Sequence, residues 1–115
     1  MSRSGDLHLT KECSQYTGEA GSFCTITSSN IEEIGVGTKV IYANAAGDGT
    51  LDTDITLDDG SGDVANGHVV LDLAADKGVV TLAGGTGRFV GFQAHADVTT
   101  DAEELWHWEG TYAFD

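Results

Sequence analysis

Phe89-Val90-Gly91-Phe92-Gln93-Ala94-His95-Ala96-Asp97-Val98 and, a short loop later, Leu105-Trp106-His107-Trp108-Glu109-Gly110-Thr111-Tyr112-Ala113-Phe114 decide how this chain is read. In the first run the even positions are apolar (Val90, Phe92, Ala94, Ala96, Val98) and the odd ones carry Gly91, Gln93, His95 and Asp97. The second run puts Trp106, Trp108 and Tyr112 on one face, with His107, Glu109 and Thr111 on the other. Strict alternation of this kind is the mark of a half-buried strand, because successive side chains leave a strand on opposite faces. The two runs must pair with their apolar faces together. A short loop around Thr100-Asp101-Ala102 places Ala94 against Trp108 and Ala96 against Trp106, small opposite large. It also sets His95 opposite His107 and Gln93 opposite Glu109. A slip of two residues makes these pairs diagonal, and a slip of one turns the tryptophans outward.

The same period runs outward through the chain. Strands are expected at Asp6 to Thr10, Ser22 to Ser29, Thr38 to Ala45, Leu51 to Asp58, Val64 to Leu73, Val79 to Ala83, Phe89 to Thr99 and Glu104 to Phe114. Between them stand turn-forming stretches: Tyr16 to Gly21, Gly47-Asp48-Gly49, Asp59 to Asp63, Asp76-Lys77-Gly78 and Gly84 to Gly87. Ile31 to Ile34 reads as one short helical turn with Asn30 as its N-cap. Connections this short join antiparallel neighbours. Eight short antiparallel strands in one small domain, residues 1 to 115, point to an all-β, eight-stranded antiparallel up-and-down β-barrel, with a two-sheet sandwich as the alternative.

Alternation assigns the inner face to Leu7, Leu9, Cys24, Ile26, Val40, Tyr42, Leu51, Ile55, Leu57, Val69, Leu71 and Leu73 besides the last two strands. A barrel of eight strands is just wide enough to be filled by side chains or to hold one small ligand. Trp106, Trp108, Tyr42, Tyr112 and Phe92 are therefore either plain core or the lining of an apolar cavity with phenol hydroxyls as polar handles.

With 19 Asp and Glu against 5 Lys and Arg, the formal charge is −14. Nucleic-acid affinity comes largely from cations that neutralise phosphates, so neither nucleic acid nor an anionic membrane surface is an expected partner. Many acidic groups and few lysines also suit a high-salt habitat. No apolar run approaches the roughly 20 residues of a membrane span, and the polar Met1 to Gly5 has no signal-peptide core. Cys13 and Cys24 are either two free thiols or one bridge closing the loop between them, worth roughly 3 kcal/mol by loop entropy. A bridge implies an oxidising compartment, secreted or periplasmic. The two cysteines fit no zinc template.

His95 and His107, with Asp97 and Glu109 near them, read as a solvated face, or else as a metal site or acid/base pair. If the polar faces were internal, His68, His95, His107, Asp72 and Glu109 would meet in the lumen instead. His8 lies on a polar face as well. Asp59-Gly60-Ser61-Gly62-Asp63 is a hairpin turn or a single copy of a calcium-binding nonapeptide, with Asp48, Asp52 and Asp54 nearby. Gly84 to Arg88 lacks the Lys-Ser/Thr and the helix of a phosphate loop, and so reads as a strand connection.

Leu82-Ala83-Gly84-Gly85-Thr86-Gly87-Arg88-Phe89-Val90-Gly91-Phe92, followed by a strand closing in Gly110-Thr111-Tyr112, resembles the GGTGxF segment of the allene oxide cyclase and dirigent barrel superfamily, including its small bacterial members. The resemblance implies an eight-stranded antiparallel barrel, a homodimer or homotrimer, and an apolar molecule in the lumen. It further implies cofactor-free cyclisation or isomerisation of a natural-product-like substrate, achieved by folding that substrate into its reactive conformer. The motif speaks to fold more than to reaction. It assigns no catalytic residue here and leaves a secreted non-catalytic binding or structural barrel as the alternative.

Overall fold

The structure, a computed structural model, describes residues 3–13, 15–44, 47, 49–60, 62–72, 74–101 and 105–114. Eight strands follow one another as β1 (Arg3–Glu12), β2 (Phe23–Ser29), β3 (Lys39–Tyr42), β4 (Thr50–Asp58), β5 (Val64–Asp72), β6 (Lys77–Gly85), β7 (Phe92–Thr100) and β8 (Trp106–Phe114). Each pairs antiparallel with the next, and β8 returns to β1 along Arg3↔Phe114 to Lys11↔Trp106, closing the barrel. The sandwich alternative falls away. Closure leaves no edge strand, and with no proline in the chain every strand residue can donate to the ladder.

Alternation predicts the inner face well except at Val90, which it puts on the apolar face and which stands 67% exposed. Leu7, Leu9, Cys24, Ile26, Val40, Tyr42, Leu51, Ile55, Leu57, Val69, Leu71, Phe92, Ala94, Ala96, Val98 and Trp108 are all buried. Ala45, Asp48, Ser61, Leu73 and residues 102–104, which the sequence reading used, lie outside the described residues.

Three local expectations are corrected. The β7–β8 register is four residues from the one expected: Ala94 faces Tyr112, Ala96 faces Gly110, His95 faces Thr111 and Val98 faces Trp108. An even shift keeps every side chain on its face, so alternation is blind to it. The turn sets the register instead. The Asp101 carboxylate accepts the Leu105 amide at 3.1 Å and pairs with His107 Nε2 at 2.7 Å, fixing a wider turn than expected. Gly110 then lies so close to β7 that a Cβ there would stand 1.9 Å from the His95 carbonyl oxygen.

Residues 31–34 form bends, with no helical turn, and Ile31 and Ile34 drop into the core. Asn30 is not a cap. Its carbonyl oxygen accepts the His8 amide at 2.8 Å and its amide group donates to the Asp6 carbonyl at 2.8 Å, prolonging the β1–β2 pairing. The stretch expected to begin β7 at Phe89 is instead a 3-10 turn, Gly87–Phe89. Here the glycine-rich segment has a physical task. A Cβ on Gly85 would meet the Val64 carbonyl at 2.1 Å, and Gly87 adopts φ 55° with Asp63 packed against it. The Thr86 hydroxyl accepts the Val64 amide at 3.0 Å. The turn so made drives Phe89 fully into the barrel, against Phe92 at 5.7 Å between ring centroids, and Phe92 in turn packs on Phe114 at 4.7 Å. Phe89, Phe92, Phe114, Ile31 and Ile34 stopper this end of the barrel with apolar side chains.

Candidate functional site

The opposite end is built differently. β1 runs two residues further than alternation alone marked, and Lys11 continues the inward series of Leu7 and Leu9. Its side chain is 3% exposed. The Lys11 Nζ donates to the Tyr42 hydroxyl and sits over the Trp108 ring, 4.8 Å from its centroid, and 5.1 Å from that of Tyr42. Electron-rich ring faces attract a cation, but they do not replace the hydration it has lost. Burial accordingly pushes the Lys11 ammonium down to about 7, so near neutrality much of it is a free amine.

The Tyr42 phenol is raised well above its ordinary value, first by burial and then by the neighbouring Tyr16. Burial raises Tyr16 too. Both phenols therefore stay neutral and can donate or accept hydrogen bonds. Tyr16 arrives on the β1–β2 loop, its ring meeting Tyr42 edge-on at 4.9 Å. That loop is fixed at both ends. Cys13 and Cys24 are joined in a disulfide, and Gly21 donates to the Tyr42 carbonyl at 2.7 Å. The bridge settles the choice the sequence left between paired and free thiols.

Two buried polar atoms here, the Tyr16 hydroxyl and the Trp108 indole Nε1, have no hydrogen-bond partner among the described residues. Buried polar groups are nearly always paired, and leaving one unpaired costs about 1–3 kcal/mol. A buried amine, two neutral phenols and an unpaired indole donor thus share one end of an apolar barrel.

The five ligand residues read from sequence divide between the ends. Tyr42, Trp106 and Trp108 belong to the Lys11 end, with Trp106 paired opposite Lys11 across β1 and β8. Phe92 belongs to the stopper. Tyr112 lies on the far half of β8, its ring against Gly5 and 6.0 Å from Phe114. Lys11 and Tyr16 escaped the sequence reading. For Lys11 the signal was present in the Leu7-x-Leu9-x-Lys11 spacing. Nothing local distinguishes Tyr16 from an ordinary turn residue.

The histidines all lie on the outer wall. His8 pairs with Glu109, and His107 with Asp101. His68 spans two carboxylates, Nδ1 to Asp54 at 2.9 Å and Nε2 to Asp52 at 2.5 Å, which hold its pKa above the ordinary value, Asp54 foremost. His95 stands 3.5 Å from the Thr81 hydroxyl. Because the register moves His95 away from His107, the imidazole pair expected from sequence does not form, and the polar faces do not meet in a lumen. Among the described residues no group of three or more His, Cys, Asp or Glu is placed to hold a metal ion. Asp59 and Asp63 are drawn to Arg88, at 3.4 and 3.5 Å, as parts of a braced hairpin turn.

A groove of about 640 Å³ runs along the outer wall past Ser4, Asp6, Gln93, His95 and Thr111. Those side chains are exposed, with Leu82, Ala94 and the half-buried Tyr112 forming its apolar floor, whereas the Lys11 end concentrates buried and unpaired polar groups. Among the described residues no helix is long and apolar enough to cross a membrane. Compared with protein-family models, curated proteins and solved structures, the chain matches none.

Proposed function

We propose that this barrel binds an apolar small molecule at its Lys11 end, in an oxidising compartment compatible with the Cys13–Cys24 bridge. The observation that carries the reading is the unpaired Tyr16 hydroxyl and Trp108 Nε1 near a buried lysine, in a core whose other buried polar side chains among the described residues, Thr38 and Thr53, have their hydroxyls paired. Specific apolar pockets combine apolar walls with a few polar groups that fix orientation. Trp106 and Tyr16 are half-buried at this end, Tyr16 on the disulfide-anchored loop. The ligand is an apolar chain or ring system with one hydrogen-bonding head. The resemblance of Gly84 to Phe89 to the allene oxide cyclase and dirigent barrels supports the same reading. It extends the reading to cofactor-free cyclisation or isomerisation, in which the walls hold a flexible substrate in its reactive conformer, and to a dimer or trimer.

Titration of medium-chain alcohols, fatty acids and linear polyenes against tryptophan fluorescence tests the binding. Saturable quenching, weakened by Trp108→Ala in a folded protein, is expected. Absence of a saturable change across the panel overturns the proposal. A non-catalytic binding or structural barrel is the second reading, favoured by the completeness of core burial from Leu7 to Trp108. Saturable turnover of any bound compound, lost in Trp108→Ala, rejects it.

A further inference from the structure

Lysines seldom lie fully buried without a carboxylate partner, because the charge then loses its hydration uncompensated. Among the described residues Lys11 makes no ion pair, and its recorded contacts are a neutral phenol and two ring faces. Such surroundings are poor for an ammonium and good for an uncharged amine. A cation needed only for stability would sit better beside one of the many acidic side chains, and among the described residues none of those is buried. The neighbouring Tyr16 hydroxyl and Trp108 Nε1 are donors with nothing yet to donate to. An oxygen-bearing ligand head would satisfy them.

We infer that Lys11 is a reactive amine that captures the carbonyl carbon of an apolar aldehyde or ketone as an imine; this rests on the binding reading above and names its substrate class. The Nζ lone pair forms the C–N bond while the carbonyl π electrons move to oxygen, which takes up a proton. The resulting carbinolamine expels that oxygen as water. Both protons of the water derive from the amine, and the product is a C=N bond with no change of oxidation state. The Tyr42 hydroxyl orients Nζ, and the Tyr16 hydroxyl and Trp108 Nε1 supply hydrogen bonds to the carbonyl oxygen. A near-neutral pKa, which burial gives Lys11, is what a nucleophilic lysine requires at ordinary pH.

The test is reductive trapping on the full, disulfide-intact chain. Decanal is added with cyanoborohydride near neutral pH, and labelled lysines are located by peptide mapping. Lys39 and Lys77, both exposed, serve as internal references. Labelling of Lys11 should exceed that of either by at least about tenfold. It should also be suppressed by excess decanol and be missing from Lys11→Met. Decanol binding is followed separately by tryptophan fluorescence. Saturable decanol quenching with Lys11 labelled no more than Lys39 or Lys77 overturns the imine and leaves the binding proposal standing. Neither quenching nor selective labelling overturns both. Because competition by decanol is read on the unaltered protein, the result does not hang on whether Lys11→Met folds.

Discussion

The two ends of this barrel are made from the same eight strands and are buried to a similar depth, yet they are closed by different chemistry. At one, Phe89, Phe92, Phe114, Ile31 and Ile34 meet as apolar surfaces that need nothing further. At the other, Lys11, Tyr42, Tyr16 and Trp108 place an amine, two phenols and an indole where water has been removed. The first arrangement gains from burial at every atom. The second gains from its rings and stems while its polar tips work against it. On the binding function proposed above, those polar tips serve a ligand rather than packing.

Truncation at the stopper should have the largest effect. Phe89→Ala removes a fully buried ring from the apolar end and should cost about 4–5 kcal/mol in denaturant unfolding, leaving labelling at Lys11 unchanged. A cost below about 1 kcal/mol would mean that the end is open rather than stoppered.

Lys11→Met should act with the opposite sign. Between about pH 7 and 10.5 the unfolded chain keeps a proton on Lys11 that the folded chain has released. Stability therefore rises with pH across that window, and the penalty is complete below it. The full shift corresponds to about 5 kcal/mol, from which the Tyr42 hydroxyl deprived of its donor subtracts about 1. The variant should thus be about 4 kcal/mol more stable below neutrality and should lose this contribution to the pH slope. Unfolding curves at several pH values decide it, and an unchanged slope would refute the buried-amine assignment.

Opening the bridge comes next. Cys13→Ser with Cys24→Ser should lower stability by about 3 kcal/mol through loop entropy and loosen the cover over the Lys11 end, without disturbing the stopper. Amide exchange should then quicken in the β1–β2 loop and stay slow around Phe89. The smallest effect belongs to the outer wall. His68 owes its raised pKa to Asp54 and Asp52, so the stability it brings is present below the ordinary histidine value and fades as pH rises through the raised one. Added salt should weaken it, because the pair is exposed. A histidine titration by NMR should find His68 elevated in the wild type and less so in Asp54→Asn.

Much of the fold was legible because alternation is a local property. The strands from Leu51 to Asp58 and from Val64 onward needed only their own side chains to declare which face was apolar. The β7–β8 register was not legible, since a shift by an even number preserves alternation and the turn at Asp101 that fixes it depends on His107 returning to the same carboxylate. Ile31 to Ile34 misled for a related reason: Asn30 resembles a cap locally, but its side chain is claimed by β1. Tyr42 and Trp108 were legible as inward aromatics. That Phe92 and Tyr112 lie far from them along the barrel was not, because sequence parity says inside or outside and gives no height along the axis.

By itself the sequence determined an antiparallel all-β chain with one apolar strand face and an acidic coat, for these follow from a period of two and from where glycine and aspartate permit turns; the closure of β8 onto β1, in place of the sandwich, belongs to the tertiary structure. Only the tertiary structure decided that one end would be stoppered and the other would hold an amine. Lys11 owes its burial to Tyr42 and Trp108, which arrive on β3 and β8, and the loss of water around Nζ is a property of that assembly rather than of any segment in it.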